Sequence, residues 1–209
     1  AQAATNWKKG KTFNQIRWDD AHELFDDKTG IAVTPKFNGT LCAIHFKHRG
    51  GHKVDGKILK SSRTVISRKH GQATAINPVT TVMATKGGVV MWDNHITREF
   101  EDTCIKRGVR EALFIGELFE YDAFGVVRGP HAITTVIMRK EIDPVAFKQL
   151  RFALVDAVSL NSKPIEVEYP LRHAELEPFE GDRVKVADMK ILNDGVLARL
   201  DALWAHHVG

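Results

Sequence analysis

A lysine side chain becomes a nucleophile only when its amine sheds its proton, and Lys36 sits where that could be arranged. Pro35 and Phe37 give it an apolar flank, and Asn38, Gly39 and Thr40 follow directly. Gly39 has no side chain, so a ligand can approach the backbone closely there. The same residues would also suit an ordinary surface hairpin. A second group is Ser67-Arg68-Lys69-His70-Gly71, where the planar fork of Arg68 could hold a hydroxyl or a phosphate. An exposed basic turn would look the same. A third is Glu117, a carboxylate among Leu113, Phe114, Ile115, Gly116, Leu118 and Phe119. Facing inward it would need a partner, which could be an ion pair, a ribose hydroxyl or a metal. The fourth is Asp156, the acid in the apolar run Arg151 to Val158, which could equally satisfy neighbouring backbone or a basic side chain.

These residues need elements to position them. Residues 19–28 read as a short helix capped by Asp19 or Asp20, and residues 1–12 as polar and loose. Residues 31–36 and 40–47 read as strands on either side of the Phe37-Asn38-Gly39 corner. In the second, Leu41, Ala43 and His45 alternate with Cys42, Ile44 and Phe46. Residues 63–67 form a further strand, and 97–110 a helix with Thr97 as N-cap. Apolar strands follow at 112–121 and 151–158. Between them lie a strand at 132–138 and a helix opened by Asp143-Pro144. Residues 183–192 read as one strand, and 194–207 as an amphipathic helix. Strands outnumber helices and are mostly antiparallel, so the fold class is α+β, in a single domain over 1–209.

With 209 residues and 43% hydrophobic composition the chain can bury a substantial core. No apolar run is long enough to span a membrane as a helix. Cys42 and Cys104 stand alone, which supports neither a disulfide framework nor a zinc site and fits an intracellular, reducing compartment. The histidines show no metal-ligand spacing, so no residue is assigned to a resident metal. A net charge of +4 is compatible with a polyanionic partner. Residues 45–70 are dense in Lys, Arg and His, with Asp55 their one acid. Such a stretch attracts phosphate oxygens, or forms the basic face of a solvated hairpin.

In this order the motifs resemble the covalent nucleotidyltransferase superfamily of ATP-dependent DNA ligases, RNA ligases and mRNA capping enzymes. Its first motif, usually K-x-D-G, is similar to Lys36-Phe37-Asn38-Gly39 and implies that Lys36 takes up the nucleotide. The S-R-x-x-G element implies that Arg68 lies near the ribose and phosphates, and the G-E-L element that Glu117 binds the nucleoside. Leu150 to Val158 with Pro164-Ile165 resembles the next motif, and Tyr169 to Val186 the connection after it. The resemblance covers roughly residues 31–209. It implies an adenylation fold of antiparallel sheets flanked by helices.

The departures sharpen the expectation. Asn38 stands where Asp is commoner, and Thr40 directly after the glycine is more typical of RNA ligases. The arginine found shortly after the glycine in DNA ligases and capping enzymes is replaced by Leu41 and Cys42. Val155 occupies the place of an aromatic, leaving Phe152 as a base-stacking alternative. Asp194-Gly195-Val196-Leu197 could be read as the later E-G-x-V motif. Residues 189–209 match better the strand and helix that precede it, so the chain is expected to stop short of that motif. The implied activity is ATP- and Mg²⁺-dependent ligation, RNA favoured over DNA, with Lys36 as nucleophile and Asn38, Gly39, Arg68 and Glu117 holding the nucleotide. A partner chain supplying the missing motifs is compatible with this. The rivals are a DNA ligase, a GTP-dependent capping enzyme, and a non-catalytic nucleic-acid-binding or structural subunit on a truncated ligase scaffold.

Overall fold

The computed structural model describes residues 30–35, 37, 39–48, 53–54, 57–58, 65–69, 72–76, 79–120, 129–138, 144–193, 195–196, 198–200 and 202. In chain order the strands are β1 (Ile31–Val33), β2 (Thr40–His48), β3 (Lys53–Val54), β4 (Lys57–Ile58), β5 (Val65–Lys69), β6 (Gln72–Ile76), β7 (Val79–Thr85) and β8 (Val90–Trp92). Helix α1 (His95–Lys106) and β9 (Glu111–Phe119) follow, then α2 (Pro130–Ile137), α3 (Pro144–Gln149), β10 (Arg151–Leu160) and β11 (Lys163–Pro164). Helix α4 (Tyr169–Ala174), a 3-10 turn (Glu177–Phe179), β12 (Val184–Val186) and β13 (Lys190–Leu192) complete the described elements. The class is α+β with mostly antiparallel sheets, as the alternation of the strands implies. The helix expected at 19–28 and the loose segment 1–12 lie outside the described residues.

The chain divides into two compact units, one of residues 1–9 and 37–186, the other of 10–36 and 187–209. The larger unit is built on a seven-stranded sheet in the order β11-β10-β9-β2-β7-β8, with β12 also on β10. Strand β10 shares its outer edge. Ser159 and Leu160 pair antiparallel with β11, while Phe152 to Leu154 pair with β12 in the sheet's one parallel contact among the described residues. In the smaller unit β1 pairs antiparallel with β13, Ile31 opposite Leu192. The continuous pattern at 183–192 is therefore two strands serving two sheets, not one.

One face of the large sheet carries the core. Cys42, Ile44 and Phe46 of β2 and Phe114 and Leu118 of β9 are all fully buried with Phe100 and Cys104 of α1. Phe114 meets Phe179 edge-on at 4.8 Å between ring centroids, and Phe100 meets Phe114 likewise at 5.6 Å. Each such ring removed from water contributes roughly 1.5–3 kcal/mol. Phe152 is fully buried in this cluster, which removes it as a base-stacking residue. A smaller set, Ala43, Val82 and Ala84 with Leu113 and Val90, lies in a second cluster.

The N-cap of helix α1 lies three residues before the expected one. Asn94 is the cap, its Oδ1 accepting the Ile96 and Thr97 amides at 3.0 and 2.9 Å. Thr97 closes the box from the third helical position, its Oγ1 accepting the Asn94 amide. The helix stops at Lys106 rather than 110 because Gly108 turns left-handed (φ +68°) just past its end. Its Glu99 carboxylate receives the amides of Arg183 and Val184 at the start of β12. A Cβ on Gly181 would collide with that carboxylate.

The segment 132–138 corrects the expected strand: residues 132–137 lie in α2 and Met138 is its C-cap. Its Ile and Val content favours strands, but Pro130 supplies the first helical φ without needing its missing N–H. Ile133 and Ile137, four apart, then share one face and are both buried. The helix at Pro144 forms as expected. Of the expected 194–207 helix, residues 196, 198–200 and 202 are described and helical.

Candidate nucleotide-binding corner

Strand β2 starts immediately after Gly39 and runs antiparallel to β9, with Thr40 opposite Leu118 and Leu41 opposite Glu117. That register brings the Gly39 corner against the carboxylate-bearing strand. The Gly39 amide donates to Glu117 Oε2 at 3.2 Å, joining two groups 78 residues apart. A Cβ on Gly39 would collide with the Leu118 carbonyl oxygen and lie 3.3 Å from the same carboxylate oxygen. Only glycine fits this approach. Gly116 is equally constrained, since a Cβ there would meet the Ala153 carbonyl oxygen of β10. The Gly-Glu pair of β9 is thus explained residue by residue: the glycine admits β10, and the carboxylate reaches the corner.

Glu117 does not face the main core. Alternation places it on the sheet face opposite Phe114 and Leu118, where it is only half-buried, so its charge keeps access to solvent. Beside the corner, the Phe37 ring packs on Phe119 at 5.0 Å between centroids. Burial pushes the Cys42 thiol far above its ordinary range, and the nearby Glu117 charge adds to this. Cys42 is accordingly an inert core residue.

Lys36 and Asn38 lie outside the described residues, on either side of Phe37. Arg68 lies on the two-stranded β5-β6 ribbon at the register position opposite Ala73. Its side chain, and those of residues 51–78, lie outside what is described. Among the candidate site residues, the described ones brought together are therefore Gly39 and Glu117.

Asp156 is occupied. Arg172 donates to its Oδ1 through Nε at 2.8 Å, with a longer contact from the second nitrogen to Oδ2. Both side chains are largely buried, so each compensates the other's desolvation. Two register shifts in β10 flank this place. The first leaves the Val155 carbonyl to accept the Tyr169 hydroxyl at 3.0 Å.

A second polar cluster was not apparent from the sequence. Glu111 Oε2 accepts the Ser162 hydroxyl at 2.5 Å, and Oε1 receives His45 Nε2 at 3.0 Å and Lys47 Nζ at 3.3 Å. The Ser162 hydrogen bond chiefly holds this carboxyl below the usual glutamate range. The one legible signal was Asn161-Ser162 between two strands. Both residues take positive φ (51° and 64°), as a tight hairpin turn requires.

Neither a scan against protein-family models nor a search of curated proteins finds a match for the chain.

Proposed function

We propose that the chain is the adenylation domain of an ATP-dependent polynucleotide ligase, with RNA the favoured substrate. The observation that carries this reading is the contact between the Gly39 amide and the Glu117 carboxylate. Two motifs singled out for nucleotide chemistry, far apart in sequence, meet across one strand pair. A surface hairpin would not require a glycine pressed against a neighbouring carbonyl, nor a carboxylate held beside it.

In the proposed first step the unprotonated Lys36 amine attacks the α-phosphorus of ATP. A nitrogen–phosphorus bond forms, the bond to the bridging oxygen breaks, pyrophosphate leaves, and the nitrogen loses a proton. Glu117 holds the ribose and Arg68 the ribose or phosphates. The AMP then passes to a 5′-phosphate end, and a 3′-hydroxyl displaces it to join the strands. Mg²⁺ arriving with ATP neutralises phosphate charge. Among the described residues no three His, Cys, Asp or Glu side chains cluster to hold a metal. Mg²⁺ bound through ATP needs only one or two carboxylates besides the phosphates, so it requires no dedicated protein cage.

The test is incubation of the chain and of Lys36→Ala with Mg²⁺ and ATP radiolabelled at the α-phosphate, followed by denaturing electrophoresis. Label retained by the first and absent from the second is the expected result. Absence of label from both, with GTP and NAD also negative, overturns the enzyme reading. Paired assays on 5′-phosphorylated RNA and DNA strands then decide the acceptor.

A further inference from the structure

Strands β2 and β7 pair as far as His48 opposite Val79, so residues 49–78 leave the large sheet and return to it at one end. Cations gather at that same end. Lys47 lies in β2, Arg110 accepts the His48 amide through its carbonyl at 2.7 Å, and Lys163 of β11 pairs opposite Leu160 of β10. Lys47, Arg110 and Lys163 are all exposed. Glu111 beside them is already shared among Lys47, His45 and Ser162. On α1, whose Glu101 accepts the Thr81 hydroxyl of β7, Lys106 and Arg107 balance Glu101 and Asp102. Arg110 and Lys163 therefore leave this end of the sheet net positive.

The excursion itself is built of basic ribbons. Strands β3 and β4 pair with Lys53 opposite Ile58 and Val54 opposite Lys57, and the residues joining them are Asp55-Gly56, a dipeptide suited to a tight hairpin. Strands β5 and β6 pair from Val65 opposite Ile76 to Lys69 opposite Gln72, and β3 lies against β5. Pleating puts Ser67, Lys69, Gln72 and Thr74 on one face of this second ribbon and Arg68 on the other. Lys53, Lys57 and Lys69 thus sit within two residues of the connections that close the two ribbons.

The composition narrows the partner. A protein partner is met by an apolar interface centre, and a membrane surface by the apolar face of a helix. Residues 45–70 contain one Phe, Trp or Tyr, and that residue, Phe46, is fully buried in the core. With no aromatic platform for bases, recognition falls to the phosphates, which position a strand without reading its sequence. A two-stranded ribbon is also narrow enough to follow a nucleic-acid groove.

We infer that the positive end of the sheet and the two ribbons hold the sugar–phosphate backbone of a polynucleotide strand, through its phosphates and without reading its bases. This docking is independent of Lys36 chemistry and holds whether or not the chain transfers AMP.

The test is fluorescence anisotropy of a short fluorescein-labelled oligouridylate over a range of salt concentrations, with no ATP or Mg²⁺ present. The wild type is expected to bind, with log affinity falling linearly as log salt rises. Changing Lys53, Lys57 and Lys69 together to Gln should flatten that slope by about 2, since each phosphate contact on a single strand contributes roughly 0.7. Changing the same three to Arg should keep the wild-type slope, which separates lost charge from lost fold. Changing the exposed Lys86, Lys148 and Lys190 to Gln removes equal charge from other elements and should leave the slope unaltered. No binding by the wild type, an unchanged slope in the Gln variant, a flattened slope in the Arg variant, or an equal flattening in the second Gln variant overturns the proposal. So does displacement of the strand by polyglutamate as complete as by unlabelled oligouridylate at equal charge, since the surface would then take any acidic chain.

Discussion

Gly39 and Glu117 show how much a single position can demand. The corner is glycine because a β-carbon would strike the Leu118 carbonyl, and Glu117 is held where that corner's amide can donate to it. Gly39→Ala is therefore expected to lower stability by roughly 1–3 kcal/mol, the usual cost of forcing extra volume into a filled space. Urea unfolding followed by circular dichroism measures it, and an unchanged midpoint would mean that the strands part at little cost. The identity of Glu117 as a residue of interest was legible, because a carboxylate in an apolar strand needs a reason. Its orientation was not. Period-two alternation assigns two faces without saying which is more deeply covered, and here Phe114 and Leu118 took the core side. The partner of Asp156 was equally hidden, since Arg172 reaches it from a helix whose docking depends on an irregularity in β10.

The elements succeed or fail as expectations according to how local their causes are. Strands β2, β9 and β10 follow from apolar alternation and appear within a residue or two of the expected bounds. In helix α2 the β-branched residues suit a strand, yet Pro130 and the spacing of Ile133 and Ile137 prevail. For α1, Asn94 rather than Thr97 is the cap, so Asn94→Ala should destabilise the protein by about 0.5–2 kcal/mol. Asn94→Asp should not, and thermal unfolding of both variants separates capping from bulk effects. Where β9 begins, Glu111 ties β2 to the β10-β11 turn through His45, Lys47 and Ser162. Its carboxyl titrates lower folded than unfolded, chiefly because Ser162 donates to the charged form. That stability is complete above the unfolded glutamate value of about 4.3 and is lost as pH falls through the lower folded one. Glu111→Gln should consequently flatten the acid limb of a stability–pH profile. An unaltered limb would place the acid sensitivity elsewhere.

At the scale of the molecule, the larger unit rests on β10 and β9, which join the β11 and β12 edge to β2 and β7. Leu154 lies at the middle of this arrangement, fully buried and paired with Gly116 on one side and Val186 on the other. Leu154→Ala should cost about 2–5 kcal/mol in equilibrium unfolding, whereas a surface change away from such contacts stays within about 0.5. The fold class could be inferred from the chain, but the strand order could not. Pairing β2 with β9 and β10 with β12 joins distant segments, and nothing in a local pattern encodes which strands meet. Residues 183–192 make the point: one continuous alternation is divided between β12 in one unit and β13 in the other. The ligase reading draws on both kinds of information, the order of motifs along the chain and the contact that unites two of them.

The ligase function proposed for the chain requires Lys36 to become covalently adenylylated. The most direct measurement is tandem mass spectrometry of peptides from the chain after incubation with ATP and Mg²⁺. The expected result is AMP attached through phosphorus to the Lys36 side-chain nitrogen, and no adduct in Lys36→Ala. An adduct on another residue that persists in Lys36→Ala would contradict it.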